Sequence, residues 1–212
     1  MAATESACAR EAPTGRVNTR VLRQIAYDYE PAKTPEALAR EKHVNVVVVG
    51  KVTGWLPGPI ASSGRTPQHW VLMRVQVERR LKGISDDVVY LPVWQGGVLG
   101  GTKTPHQGVD DFRRAAPKGM RVLMFLGKER PGGPTVISGP ITKNRTKLPS
   151  ATPRYWAPPQ GVILHEVGTD GIGRAVGGLV ELPRSGSYKA WDQPCGIDGL
   201  ITRLQAEGLK GR

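Results

Sequence analysis

The chain has 212 residues, of which 39% are hydrophobic and 23% charged, and its formal net charge is +12. This length suits one globular domain with extensions, and no run approaches the roughly 18 apolar residues of a membrane helix, which excludes a helical membrane span. The 27 glycines and 18 prolines exceed the usual share and indicate many turns between short strands.

The positive charge is concentrated in the centre of the chain. Residues 44–183 carry 18 basic and 9 acidic side chains. Such an excess attracts anionic partners such as nucleic acid, a membrane surface or an acidic protein. It also keeps a protein soluble, and the sequence leaves both explanations open.

The N-terminal sequence and the two cysteines predict the cellular compartment of the protein. The segment from Met1 to Cys8 has no basic region followed by an apolar one, so it does not predict a signal peptide. We therefore expect a cytoplasmic protein; an exported or lipidated form is expected only if the start codon is misassigned. Because Cys8 and Cys195 lie far apart in the sequence and form no CxxC pair, we expect two free thiols in a reducing compartment.

The N-terminal part predicts little regular structure before residue 34. Residues 1–33 are polar and mixed, and we expect a loosely ordered extension with a short helix around residues 21–26. A second helix is predicted from Pro35 to about His43, because Thr34 is a suitable N-cap and proline is favoured at the first helical position.

Two runs predict the first hairpin of an all-β domain over residues 34–183. Residues 44–50 are almost continuously apolar, which indicates a strand buried on both faces or curled inside a barrel. Residues 71–82 alternate apolar and polar, the pattern of a strand with one buried face. We expect the proline-containing connection over residues 54–68 to be irregular.

The remaining elements follow in order. Residues 88–94 predict a third strand, with Pro92 indicating an edge or a bulge. A long loop with a helical turn at 110–114 leads to a central strand at 120–126. Further strands are predicted at 135–137, 162–167 and 175–182, and residues 184–212 predict a linker followed by an amphipathic helix at 197–207.

Three short motifs carry a family resemblance. Residues 46–52 read VVVVGKV, residues 75–83 read VQVERRLKG, and residues 119–126 read GMRVLMFL. Over about residues 36–182 the chain resembles a bacterial set of mostly uncharacterised domains, which look like the netrin-like and metalloproteinase-inhibitor version of the OB-fold. The resemblance implies a closed antiparallel barrel of about five or six strands with Greek-key connections. The inhibitors chelate a protease's zinc with an N-terminal cysteine pair, and this chain has only Cys8 there.

The segment 143–156 carries the clearest binding signal. It combines four cations with two aromatic rings, which is the mixture that single-stranded nucleic acid favours. Arginine beside tyrosine and tryptophan is equally favourable for docking a protein. The predicted binding residues are Arg113, Arg114, Lys118, Lys143, Arg145, Lys147, Arg154, Tyr155 and Trp156.

No catalytic or metal-binding motif is complete. The stretch 96–104 nearly spells a phosphate-binding loop, but Thr102 stands between the second glycine and Lys103, so we expect a flexible loop. The four histidines lie far apart in the sequence without a carboxylate at ligand spacing. We therefore expect no metal and no cofactor.

These observations predict a non-enzymatic β-barrel module. Its partner would be another protein or a larger assembly, such as a phage or other structural component. The loops 143–156 and 55–70 are the expected contact surfaces. The alternative is a basic OB-fold that binds single-stranded nucleic acid through the segment 143–156.

Overall fold

The computed structural model describes residues 8, 10–13, 15–25, 27–63, 66–96, 106–128, 137, 140–149, 152, 154–184 and 186–209. Within them lie an antiparallel sheet of eight strands and five short helices. The strands are β1 (Val46–Ser63), β2 (Thr66–Lys82), β3 (Val88–Trp94), β4 (Arg121–Lys128), β5 (Ile141–Lys143), β6 (Tyr155–Trp156), β7 (Val162–Val167) and β8 (Gly173–Gly177). The helices are α1 (Thr19–Leu22), α2 (Pro35–Arg40), α3 (Val109–Ala115), a 3₁₀ helix (Gly186–Trp191) and α4 (Ile197–Ala206). No helix in these ranges is long and apolar enough to cross a membrane.

The main sheet has the strand order β3-β2-β1-β4-β7-β8, with β5 pairing β1 and β6 pairing β4. In this order β4 returns to lie beside β1, as the fourth strand of a Greek key does. β3 contacts β6, but the described residues form no strand ladder between them. The prediction of a mostly antiparallel β fold is therefore confirmed, whereas the sheet is not closed into a barrel.

The apolar run at the start of β1 is buried on both faces, as predicted. Val46 and Val48 belong to a first core on the inner face of the curved sheet, with Met73 and Val75 of β2. Val47 and Val49 belong to a second core on the opposite face, where α2, the 3₁₀ helix and α4 cover the sheet. Strand β4, which pairs with β1 along its first six residues, is also buried on both faces, so its predicted central position is confirmed.

The prediction that residues 54–68 are irregular is wrong. β1 and β2 continue as a paired hairpin as far as Ser63 and Thr66. Register shifts between Val52 and Gly54 and between Pro57 and Ile60 insert bulges that let the ladder pass the prolines. Between two of these prolines, a Cβ on Gly58 would lie only 2.6 Å from the Trp70 carbonyl oxygen, so glycine is required for this close approach.

Bulges also change the face of one residue of β2. Met73, Val75 and Val77 face the first core as their alternation predicts. Leu81 has the same parity but lies in the second core beside Leu38. The register shift opposite Val49–Gly50 causes this change, because it leaves one extra residue in β2 between Val77 and Arg79, which reverses the alternation beyond it.

Most of the other predicted elements are present: β3 and β7 have the predicted bounds, α3 and β4 are longer, and the remaining ones are shorter. Thr34 caps α2 by accepting a hydrogen bond from the Ala37 N–H, although the helix ends at Arg40. Helix α4 buries its predicted apolar face, and Pro92 lies in the end strand β3. Of the predicted strand at 135–137 and the loop at 96–104, only Ile137 and Gly96 are among the described residues.

The described part of the N-terminal extension packs on the sheet. Val17, Val21 and Leu22 belong to the first core, and the Glu11 N–H donates to the Gly171 carbonyl. Docking this segment brings the two cysteines together. Cys8 and Cys195 form a disulfide with their Cα atoms 5.2 Å apart, so the expectation of two free thiols is wrong. The sequence does not predict this contact between Cys8 and Cys195, because the contact depends on the path that the N-terminal segment takes across the sheet.

We expect Cys8→Ser to lower the free energy of unfolding by about 2 to 5 kcal/mol, since the disulfide constrains a very long loop of the unfolded chain. Urea denaturation with and without a dithiol reductant measures the effect. Reductant should destabilise the wild type to the level of the variant and leave the variant unchanged. Equal stability of the two proteins under oxidising conditions would contradict the bond.

Candidate functional site

The structure separates the predicted basic surface into distant parts. β5 places Lys143 opposite Ile60, near the far end of the long hairpin. β6 places Tyr155 and Trp156 opposite the last two residues of β4, next to the start of β1. The cations at one end of the segment 143–156 and the aromatic rings at the other therefore do not form one patch.

Arg145 has a structural role. Its Nε donates to the Gly58 carbonyl at 3.0 Å, and its Nη2 donates to the Trp70 carbonyl at 3.1 Å and to Gln95 Oε1 at 2.9 Å. Burial lowers the pKa of this guanidinium. The side chain links the loop after β5 to the hairpin and to the end of β3, so its charged group forms hydrogen bonds within the protein.

The two predicted aromatic residues differ in access. Tyr155 is fully buried in the first core, and its hydroxyl donates to the Asp86 carboxylate. Burial and this hydrogen bond raise the pKa of Tyr155 to about 12. Because the ring is buried, it is not available for stacking. Trp156 is half-buried and stacks on His43 with ring centroids 5.1 Å apart.

Two of the predicted cations have carboxylate partners one helical turn away. Arg113 contacts Asp110 at 2.6 Å, and Arg114 pairs with Asp111, both on the exposed face of α3. Exposed pairs of this kind are weak but reduce the net charge of the surface. The predicted cations without an ion pair among the described residues are Lys118, Lys143, Arg145, Lys147 and Arg154.

A shallow aromatic groove lies at the open edge of the sheet. It runs between β3 and the N-terminal segment and encloses a volume of about 30 Å³. Small-molecule sites usually hold about 300–1,000 Å³, so this groove is too small to enclose a ligand of that class. The described part of the lining contains no Asp, Glu, Lys, Arg or His. The lining residues are Leu22, Gln24, Ile25, Tyr27, Trp70, Leu91, Pro92, Val93, Trp94, Ala157 and Leu179.

The edge strand β3 directs unpaired backbone groups outward. The Gln95 N–H donates to the His69 carbonyl at 2.9 Å, and the Val77 N–H donates to the Asp87 carbonyl at 2.8 Å. In an antiparallel ladder these bonds alternate, so the odd-numbered residues of β3 bond to β2. The even-numbered residues, including Pro92 and Trp94, then point their backbone groups away from the sheet. Pro92 has no N–H to expose, which suits an edge strand.

Trp70 and Trp94 both line the groove and pack with Ala61 and Ile137. They are direct cross-strand partners, and the alternation above makes them a non-hydrogen-bonded pair, in which side chains approach most closely. Both Nε1 atoms are buried and have no hydrogen-bond partner among the described residues. By contrast, Trp55 Nε1 donates to the Ala116 carbonyl at 2.8 Å, and Trp191 Nε1 donates to the Ala32 carbonyl at 2.9 Å.

The N-terminal segment supplies the opposite wall of the groove. Arg23 holds this wall in place because its Nη2 donates to the Gly177 carbonyl at 3.0 Å and its Nη1 pairs with Glu181. Sequence reasoning included Trp70 only as the end of a predicted loop and did not single out Tyr27 or Trp94. The register between β2 and β3 makes Trp70 and Trp94 a pair, and residue types alone do not specify that register.

A partly buried ionic cluster anchors the segment that carries this wall. Arg121 binds the Asp198 carboxylate with two hydrogen bonds of 2.7 and 2.9 Å and Glu11 with one of 2.9 Å. His165 Nε2 lies 3.4 Å from Glu11 Oε2, and its Nδ1 accepts from the Ile197 N–H at 3.4 Å. A Cβ on Gly173 would lie 2.1 Å from the His165 ring, so glycine provides the space for it.

The cluster has the geometry of a structural anchor. Burial lowers the pKa of His165, which keeps the ring neutral near neutral pH. The hydrogen bonds from Arg121 lower the pKa of Asp198, so this carboxylate stays ionised and paired. Among the described residues, no group of three or more His, Cys, Asp or Glu side chains is placed to hold a metal ion.

The chain matches no protein-family model, no curated protein and no solved structure. The interpretation of the groove and of the ionic cluster therefore rests on their own geometry.

The free energy of unfolding should fall as the pH is lowered from about 6.5, because the unfolded chain protonates His165 there while the folded chain keeps it neutral. Protonation of the Asp198 carboxylate lowers the free energy of unfolding further, but only below about pH 4. We expect His165→Gln to flatten the decline between about pH 7 and 5, as measured by urea unfolding. The exposed His106→Gln variant is the matched control. An unchanged slope in His165→Gln would rule out this role.

Proposed function

We propose that the chain is a non-enzymatic β module that binds another protein by accepting an extended segment in the Tyr27–Trp70–Trp94 groove. The observation that carries this proposal is the groove beside the end strand β3, whose described lining is uncharged and includes the rings of Tyr27, Trp70 and Trp94. A module of this kind can act alone or as a component of a larger assembly.

The chemistry of the groove favours a polypeptide over other ligands. Aromatic side chains offer large contact areas at a low entropy cost and are enriched at protein interfaces. The described lining residues include no cation to bind phosphate, whereas their apolar and aromatic side chains suit the side chains of a peptide.

The strand order supports an OB-like version of this module. The Greek-key arrangement of β4, β1, β2 and β3 and the contact of β3 with β6 fit a sheet rolled around the first core. We propose this rolled sheet as the netrin-like element that the sequence motifs resemble. For location, the Cys8–Cys195 disulfide favours an oxidising compartment over the predicted cytoplasm.

The second candidate function is binding of single-stranded nucleic acid. The observation in its favour is that Lys143, Lys147 and Arg154 have no carboxylate partner among the described residues. The separation of Lys143 and Lys147 from Trp156 and the burial of Tyr155 weigh against it, since base stacking on exposed rings supplies much of such affinity.

Selection from a phage-displayed random peptide library tests the protein-binding proposal. We expect enriched peptides to bind the wild type and to bind Trp94→Ala at least about tenfold more weakly, because the indole lines the groove. Trp156→Ala, a half-buried tryptophan outside the groove, is the matched control and should retain affinity. Failure to enrich any binder, or equal affinity for Trp94→Ala, would refute the proposal.

A fluorescently labelled deoxythymidine oligonucleotide tests the alternative. If nucleic acid binds, the logarithm of the affinity should fall with the logarithm of the salt concentration, with a slope of about −0.7 for each phosphate neutralised. A Lys143→Ala, Lys147→Ala double variant should then bind more weakly and show a shallower slope. Absence of binding at low salt would eliminate this candidate.

A further inference from the structure

We infer that Arg121 and His165 form a carboxylate-binding site that the chain fills with its own Glu11, and that the Cys8–Cys195 disulfide keeps this internal ligand in place. The site shares no residue with the described lining of the groove. The inference therefore does not depend on the protein-binding function proposed above.

Both oxygens of the Glu11 carboxylate have a partner. Oε1 accepts a hydrogen bond of 2.9 Å from Arg121 Nη1, and Oε2 lies 3.4 Å from His165 Nε2. Because His165 Nδ1 accepts from the Ile197 N–H, a neutral ring carries its proton on Nε2, so the atom that faces Glu11 is a donor. A guanidinium and an imidazole N–H therefore converge on one carboxylate.

The two donors are held in position by groups other than Glu11. Arg121 donates two hydrogen bonds of 2.7 and 2.9 Å to the Asp198 carboxylate. The side chain of His165 is only 3% exposed, and its ring lies against Gly173, where a Cβ would be 2.1 Å away. Donors fixed by such surrounding contacts are prepared for a ligand. Loss of Glu11 would therefore leave the site built and accessible.

The segment that carries Glu11 has few other contacts with the sheet. All other described residues between Cys8 and Val17 are exposed. The Glu11 N–H donates to the Gly171 carbonyl at 3.2 Å, and the next contact along the chain is that of the Val17 N–H with the Glu166 carboxylate at 2.8 Å. Since partly exposed ion pairs are weak, the disulfide is the strongest constraint on this segment.

The disulfide is placed where a reductant can open it. Both cysteines are only half-buried, and Cys195 has a φ of 64°, a backbone conformation that is strained for a residue other than glycine. Exposed or strained disulfides are the labile ones. A dithiol reductant attacks one sulfur and displaces the other as a thiolate; its second thiol then closes the reductant's own disulfide and leaves two cysteine thiols.

A carboxylate is the ligand class that suits the vacated site. Glu11 itself shows that one carboxylate reaches both donors. The guanidinium of Arg121 is already shared with Asp198, so a dianion such as phosphate would be repelled by that neighbouring carboxylate. A cation would be repelled by Arg121.

The experiment observes the histidine rings of a full-length Cys8→Ser, Glu11→Ala variant by ¹⁵N–¹H correlation NMR at constant pH. Addition of acetate should produce a saturable shift of the His165 signals, whereas the uncharged analogue acetamide should not. Oxidised wild-type protein should not respond, because Glu11 fills its site. The exposed His43 and His106 are internal controls.

A second measurement uses the wild type, which needs no substitution to fold. Diethylpyrocarbonate should modify His165 faster in the reduced than in the oxidised protein, and it should modify the exposed His106 at the same rate in both. Equal protection of His165 in the two forms would overturn the role of the disulfide. The absence of a saturable acetate shift in the variant, or an equal shift with acetamide, would overturn the site.

A peptide distinguishes two sources of the carboxylate. The pentapeptide Ala-Arg-Glu-Ala-Pro repeats residues 9–13 of the chain. If it binds the variant more tightly than acetate does, and if exchange of its glutamate for glutamine abolishes binding, the site takes the acidic side chain of a polypeptide. Binding no tighter than that of acetate would assign the site to small carboxylates.

Discussion

The structure depends on the burial of β1 from both sides. Because Val46 to Val49 alternate between two cores, this single strand joins the inner face of the curved sheet to the face covered by α2, the 3₁₀ helix and α4. It also pairs with β2 on one edge and β4 on the other. Burying a valine side chain contributes about 1.5–3 kcal/mol, so a polar substitution here would disturb both cores at once. The helices and the two sheet edges are all placed relative to this strand.

The candidate groove arises where this arrangement ends. β1 and β2 extend beyond the second core as a long hairpin, and β3 lies along the outer edge of β2 without a strand partner on its other side among the described residues. Arg145 fastens the hairpin to the end of β3, which holds Trp70 beside Trp94. The N-terminal segment then completes the groove from the other side. The site is therefore built from parts of the chain that are distant in sequence.

The sequence predicts the periodic parts of this fold well. Alternation in β2 identifies Met73, Val75 and Val77 as inward-facing, and the continuous valine run identifies β1 as buried on both sides. It does not predict Leu81, because bulges reverse the alternation, nor the strands at residues 54–68, because their bulges accommodate prolines that usually indicate loops. The groove and the disulfide depend on register and on the path of a long segment. Arg145 illustrates the same limit, since a basic residue in a basic loop is turned inward by three acceptors.

The disulfide between Cys8 and Cys195 spans 187 residues, and this separation has a consequence for biosynthesis. The ribosome releases Cys8 early and Cys195 only after every strand of the sheet has been made. Every strand of the sheet is therefore synthesised before the covalent tie can form, so oxidation joins the N-terminal segment to a chain whose sheet-forming residues are already complete.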